Sequence, residues 1–159
     1  MKSALAAIGL ALAVAVTASA QSKPNFSGTW ILDVAKSDFG GAPALTSMSH
    51  EIQHKGTTIG IATTQKTAQL ELVNKRTLTT DGKENTNHLK TSAGDQDVKS
   101  TSKWDGPRLL TTMTLDVQGT PASVTDTWEL SADARVLTIT RSATMPDGSI
   151  TQKFVFNKQ

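Results

Sequence analysis

Apolar and polar residues alternate with a period of two through most of the chain beyond residue 21. In the segment 108–117, for example, Leu109, Met113 and Leu115 fall on one face and mainly polar residues on the other. Such alternation predicts antiparallel strands that turn one face toward a core. The clearest runs cover residues 26–33, 58–63, 70–79, 97–104, 108–117, 122–130, 135–143 and 150–156.

Turn signals separate these runs at regular intervals. The dipeptide Asp-Gly, which tolerates the positive φ angles of tight hairpins, occurs at 81–82, 105–106 and 147–148. Breaks in the pattern recur on the order of every 12 residues, a spacing typical of sandwiches and barrels. The prediction is an all-β protein, an antiparallel up-and-down meander of about 8–10 strands that closes into a barrel.

One segment, residues 35–47, breaks this rhythm. It is rich in Gly, Ala and Ser, so it is expected to form a large loop or a short helix after Pro43. In a barrel, such a segment could lie across one open end.

The first twenty residues have the composition of a signal peptide. Lys2 precedes an apolar run over 4–16, and Ala18-Ser19-Ala20 matches the pattern that signal peptidase cleaves. The run is too short for a membrane span, which needs about 20 residues. The prediction is cleavage after Ala20, a single barrel domain over 21–159 without a stable membrane span, and an exported protein, periplasmic or secreted.

Composition and charge exclude several classes of function. The chain contains no cysteine, which excludes disulfides, thiol catalysis and cysteine-ligated metals. The formal net charge is +2 and the charges are scattered, so no nucleic-acid partner is expected. Nucleophile elbows, phosphate loops and paired carboxylates do not occur in the sequence. No catalytic residue, enzymatic activity or cofactor is therefore predicted.

Residues 50–54 read His-Glu-x-x-His, the signature of zinc metalloproteases. That motif works on a helix, which brings both histidines to one face and the glutamate beside the metal. On a strand, His50, Ile52 and His54 share one face while Glu51 points to the other. A following turn and strand favour the second backbone, so no metal site is predicted. The histidines, with His88, are expected at the surface or partly buried.

The stretch "NFSGTWILDVAKSDFG" carries a Gly-x-Trp at Gly28 and Trp30. It resembles the first motif of the lipocalins and the wider calycin group. With "SMSHEIQHK" after it, the chain looks like a family of small exported bacterial lipocalin-like proteins. The resemblance implies that Gly28 and Trp30 close one end of the barrel. It also implies an Arg stacked on the indole, for which Arg141 is the first candidate and Lys153 the second.

Several charged residues share strand faces with apolar ones. Asp126 alternates with Trp128, Arg135 and Arg141 alternate with Leu137 and Ile139, and Asn74 and Arg76 alternate with leucines. If these faces look inward, a buried Arg needs a partner, either an acidic ligand or Asp126 itself. Strand twist or a bulge could instead turn the charges outward. The candidate ligand-binding residues are Asp126, Trp128, Arg135 and Arg141.

Two non-enzymatic functions fit these observations best, and a third, an enzyme, would need convergent titratable residues at an open end of the barrel. The first is an exported protein that binds a small lipophilic or acidic amphipathic molecule inside the barrel, in a cavity of a few hundred cubic ångströms. The alternative is a non-enzymatic envelope protein with a filled barrel and a functional outer surface.

Overall fold

The computed structural model describes residues 23–91, 94–117, 119–145 and 148–159. The signal peptide predicted over 1–20 lies outside the described residues. Ten strands and one short 3-10 turn, Val34–Lys36, form the fold. The strands are β1 (Gly28–Leu32), β2 (Ser47–Lys55), β3 (Thr58–Lys66), β4 (Glu71–Thr79), β5 (Asp81–Thr91), β6 (Gly94–Asp105), β7 (Arg108–Val117), β8 (Thr120–Leu130), β9 (Val136–Met145) and β10 (Gly148–Lys158).

The strands form one antiparallel sheet in the order β4-β3-β2-β1-β10-β9-β8-β7-β6-β5. Strands adjacent in sequence pair with each other except β4 and β5, and β1 pairs with β10, so the meander rolls into a nearly closed barrel. The predicted fold class is confirmed. Each predicted run corresponds to a strand, and residues 50–54 lie on a strand too, β2. The sequence prediction missed β5.

The two ends of the sheet, β4 and β5, meet at a seam that side-chain amides bridge. The Asn74 side chain donates to the Lys90 carbonyl (2.9 Å) and accepts from the Lys90 N–H (2.8 Å). Asn87 makes the same pair of bonds with the backbone of Thr77, at 2.9 and 2.7 Å. The side-chain amides take the place of backbone hydrogen bonds between β4 and β5. The backbone groups of Lys90 and Thr77 are therefore paired although both strands are edge strands.

The segment between β1 and β2 lies along β10 instead of forming a helix after Pro43. Asp38 and Lys153 exchange two backbone hydrogen bonds of 2.7 Å, and the Ser37 hydroxyl accepts from the Val155 N–H. The Phe39 ring packs edge-on against Phe154, 6.0 Å away. The segment therefore continues the pairing along the edge of β10 beyond the end of β1, next to the buried Val155.

Two apolar clusters fill the interior. In the larger cluster, Phe26 stacks against His54 and Trp104 and meets the edge of Trp128. The smaller is formed by Val98, Met113 and Val124, with Leu89, Leu115 and Ala143 packed against it. The largest fully buried side chains of the first cluster are Trp30, Trp128, Phe26 and Phe156.

Trp30 is fully buried, and its indole N–H donates to the Phe26 carbonyl (2.8 Å). The cation over its ring is Lys158, whose Nζ lies 5.2 Å from the ring centroid. The prediction that Arg141 stacks on Trp30 is therefore wrong, and so is the second candidate for this cation, Lys153. The reason is register, because Lys158 on β10 lies directly opposite Trp30 on β1.

Gly28 is required where it stands for two reasons. Its φ is +139°, and a Cβ there would lie 2.6 Å from Cε of Lys158. We expect Gly28→Ala to lower the free energy of unfolding by about 1–2 kcal/mol, because the backbone would be strained and Lys158 displaced. Chemical denaturation measures this. The matched control is Gly60→Ala on β3, where a Cβ meets no atom closer than 3.9 Å; an equal loss there would contradict the argument.

Candidate functional site: a charged cavity inside the barrel

A cavity of about 110 Å³ lies inside the barrel and is lined by residues of β2, β3, β4, β5, β8, β9 and β10. Its lining combines apolar side chains with an unusual number of polar and charged ones. The apolar members are Met48, Leu89, Ile139, Phe154 and Phe156, and the polar members are His50, Thr63, Gln65, Asn74, Arg76, Asp126 and Arg141.

Asp126 and Arg141 form a bidentate ion pair in this wall. They lie directly opposite each other on β8 and β9. Arg141 donates from Nε to Oδ1 (2.8 Å) and from Nη2 to Oδ2 (2.9 Å). The Asp126 side chain is 1 % exposed and that of Arg141 32 %. Burial raises the pKa of Asp126, but the Arg141 charge and hydrogen bonds outweigh it and hold that pKa below its usual range.

Arg76, on β4, is the second cation of the cavity and lacks such a partner. Its guanidinium carbon lies 5.8 Å from the Trp128 ring centroid, and its Nη1 approaches the Met113 sulfur at 3.7 Å. Its Nε is buried without a hydrogen-bond partner. Burial lowers the pKa of Arg76, the attraction of Asp126 raises it and the repulsion of Arg141 lowers it. An Arg stays protonated in proteins, so this charge remains.

His50 completes the cluster as a neutral group. Its side chain is buried beneath the cavity, tilted against Phe156 at 4.7 Å, and its Nδ1 lies 2.9 Å from the Thr63 hydroxyl. Burial, together with the charges of Arg76 and Arg141, lowers the pKa of His50 to about 3. Two guanidinium groups against one carboxylate therefore leave the cavity lining with one positive charge.

The zinc-protease hypothesis depended on a helix at residues 50–54, and these residues form a strand instead. His50 and His54 are buried on the inner face, and Glu51 and Gln53 are exposed on the outer face. His54 is occupied structurally, since its Nδ1 accepts the Phe26 N–H (3.3 Å). Only His88 lies at the surface as expected. In the described ranges, no group of three or more His, Asp or Glu side chains is placed to hold a metal.

The predicted ligand-binding residues separate in the structure. Asp126 and Arg141 line the cavity, and Trp128 is fully buried behind it, stacked on His50. Arg135 does not reach it, which corrects the placement of Arg135 on an interior face. The Arg135 backbone N–H donates to the Ser131 hydroxyl in the turn between β8 and β9. Arg135 therefore belongs to the turn that precedes β9, and it is exposed.

The candidate set missed Arg76 and His50. The alternation of apolar and polar residues along β2 and β4 did contain a signal for both residues. Arg76 takes the same strand face as Leu78, and His50 the same face as Ile52. A charged residue among apolar ones on a strand face indicates a binding site only when that face is known to point into a closed barrel. The same sequence pattern also occurs in edge strands, where twist or a bulge turns the charge outward.

Acid is expected to destabilise the fold through His50. Its pKa is about 3 when folded and its ordinary value is 6.5, so protons favour the unfolded chain between these values. Stability should fall by about 1.4 kcal/mol per pH unit below pH about 6.5, roughly 2 kcal/mol by pH 5. His54, whose pKa burial also lowers, acts in the same direction.

Urea denaturation at pH 5 and pH 8 measures this dependence. We expect His50→Gln to remove most of the loss, whereas His88→Gln, a change at an exposed side chain, retains it. An unchanged pH dependence in His50→Gln would show that His50 is not the group responsible.

A second hollow, of about 420 Å³, lies on the outer face of the barrel. Its lining includes exposed residues at outward positions, such as Glu51, Gln53 and Lys75, and also Arg76, which therefore borders both the hollow and the interior cavity. The interior cavity, at about 110 Å³, is smaller than the few hundred cubic ångströms expected of a carrier.

The arrangement can hold an anion but offers no pair of groups poised for proton transfer. Asp126 is engaged by Arg141, and His50 is neutral. Arg76 presents an unused N–H donor and an unneutralised charge beside an apolar wall.

Comparison with solved structures finds several chains of similar fold. A mutant of the fluorescent protein UnaG matches with a TM-score of 0.56 and 21 % identity, over 84 % of this chain and 95 % of that one. A secretory abundant heat soluble protein from Ramazzottius varieornatus matches with a TM-score of 0.57 and 15 % identity (84 % and 94 %). Zebrafish ileal bile acid-binding protein with cholic acid matches with a TM-score of 0.56 and 19 % identity (84 % and 98 %). At these identities the likeness concerns the fold.

No protein-family model and no curated protein sequence matches the chain. In the part of the chain that the structure describes, no helix is long and apolar enough to cross a membrane.

Proposed function

We propose that the protein is an exported carrier that binds a small, mainly apolar molecule with an acidic group inside the barrel. The observation that carries this proposal is Arg76, a cation beside an interior cavity whose Nε has no partner. Arg76 is partly exposed, but its Nε is buried, and a buried donor without a partner is costly. Asp126 already accepts two bonds from Arg141, so an acidic group of a ligand would supply the partner that Arg76 lacks.

The apolar part of such a ligand would contact the other cavity walls. Met48, Ile139 and Phe154 supply them, and each is buried. A few polar groups in a largely apolar wall are typical of small-molecule sites, in which the polar groups fix orientation. One of the matching structures is a complex with cholic acid, a carboxylic acid, which supports the acidic group of the proposed ligand, but not its size, by analogy of fold.

Export is the second part of the proposal and rests on residues 1–20. A charged start, a short apolar run and Ala18-Ser19-Ala20 together support cleavage after Ala20. Intact-mass analysis of the protein expressed in a bacterial host with its natural leader tests this. A mature chain beginning at Gln21 outside the cytoplasm is expected, and an unprocessed cytoplasmic chain would contradict it.

Tryptophan fluorescence tests binding. Trp128 lies between the cavity cation and His50, so an anion at Arg76 should change its emission. We expect saturable binding of apolar carboxylic acids at one site per chain, and at least ten-fold weaker binding of the corresponding primary amides. Trp128→Phe should lose the signal but retain binding by calorimetry. Equal binding of acid and amide, or none of either, would contradict the proposal.

One observation favours the alternative of a filled barrel that acts through its outer surface. The interior cavity measures only about 110 Å³, below the roughly 300 Å³ at which ordinary ligand pockets begin. The same titration separates the two functions, because a filled barrel would show no saturable interior site.

A further inference from the structure

The ligand cavity is small because the chain itself occupies most of the barrel. Four of the largest side chains, Phe26, Trp30, Trp128 and Phe156, are fully buried below it. Arg76 contacts Met113 of the smaller apolar cluster and lies over the ring of Trp128 in the larger one. Packed side chains therefore lie on both sides of the Arg76 guanidinium.

This volume sets a limit on what can bind. A buried apolar cavity of about 150 Å³ holds benzene, which has six non-hydrogen atoms, so about 110 Å³ holds roughly four. The cavity is partly open, so the rest of a longer ligand would either extend through the opening, where it gains no burial, or displace packed aromatic rings, which close-packed interiors resist.

The charge sets a second limit. The surplus of one positive charge in the lining is neutralised by a single negative charge on the ligand. A dianion would bring an unpaired negative charge next to Asp126, which faces the same cavity and is 1 % exposed. Coulomb repulsion between the second negative charge of the ligand and the Asp126 carboxylate disfavours binding of the dianion.

From these limits we infer that the barrel prefers compact monocarboxylates of about two or three carbons, and that long-chain fatty acids and bile acids gain no affinity from the atoms that the cavity does not enclose. The inference rests on the proposed function and adds the size and charge of the ligand. Met48 is the size-determining residue. It is buried and lines the cavity from β2, whereas the ion pair lies on β8 and β9.

A homologous series of straight-chain monocarboxylates tests the size limit by calorimetry on the mature protein. Affinity should rise about four-fold per methylene while the chain fits, because each buried methylene adds that factor. It should then level off or fall beyond about three carbons. A steady rise to twelve or more carbons would overturn the inference and leave the carrier function intact. Failure of every acid to bind would overturn the carrier function itself.

A substitution at Met48 tests which residue sets the size limit of the ligand. Met48→Ala removes the side chain beyond Cβ, so the best-binding acid should become longer by about two methylenes. The matched control is Leu137→Ala, which truncates a fully buried residue that does not line the cavity. It should destabilise the fold without moving the optimum. An optimum unmoved by Met48→Ala, or moved equally by Leu137→Ala, would overturn the role of Met48.

The charge limit has its own comparison. A short dicarboxylate should bind at least ten-fold more weakly than the monocarboxylate of the same length, because it places a second carboxylate near Asp126. Stronger binding of the dicarboxylate would overturn the inference that one charge is recognised.

Discussion

Replacing Asp126 by Asn is expected to lower the free energy of unfolding by about 3 kcal/mol. The substitution preserves the shape of the side chain but removes the one carboxylate that faces two arginines. Removing one partner of a buried pair costs about 3–5 kcal/mol, and we take the lower end because the Arg141 side chain is 32 % exposed.

A double-mutant cycle with Arg141→Met separates the pair from other effects of the substitution. The double variant should regain most of the loss, since both charges are then gone. Asp97→Asn, at a side chain 71 % exposed, is the surface control and should change stability little. If Asp126→Asn is as mild as the control, the ion pair does not stabilise the barrel.

Arg76→Met is expected to have the opposite effect on stability and a large effect on binding. It removes a cation whose Nε has no partner, so the free energy of unfolding should stay the same or rise by about 1 kcal/mol. Affinity for a short monocarboxylate should fall about 10- to 100-fold, the effect of one charge-assisted contact. Denaturation and calorimetry on the same preparation measure both.

Arg141→Met is the matched control for Arg76→Met, because it removes the other cavity cation. Its charge is already neutralised by Asp126, so its loss should destabilise the fold as Asp126→Asn does. If both variants lose stability alike, Arg76 is a structural cation, and the argument for an acidic ligand fails.

The strand pattern predicted most of the barrel, because alternation survives wherever a strand has an apolar inner face. It missed β5 for a physical reason. The inward positions of β5 include Asn85 and Asn87, which bond across the seam to Thr79 and Thr77. A strand that closes a barrel through side-chain amides needs polar residues on its inner face, so it has no hydrophobic alternation to detect.

The site was predictable only in part, because contacts across strands depend on register. The sequence placed Asp126 and Arg141 among candidate partners, and the β8–β9 register brings them together. It could not show that Lys158 would lie opposite Trp30, since the β1–β10 pairing joins the two ends of the chain. Arg76 was visible as a charge on an apolar face, but its lack of a partner follows only from the closed structure.

Native mass spectrometry of the mature protein, purified gently from its own host, tests the central claim most directly. We predict one small acidic molecule per chain, lost in Arg76→Met and retained in Gly60→Ala. Repeated absence of a bound mass, together with unchanged Trp128 emission when short monocarboxylates are added, would contradict the carrier and favour the filled barrel.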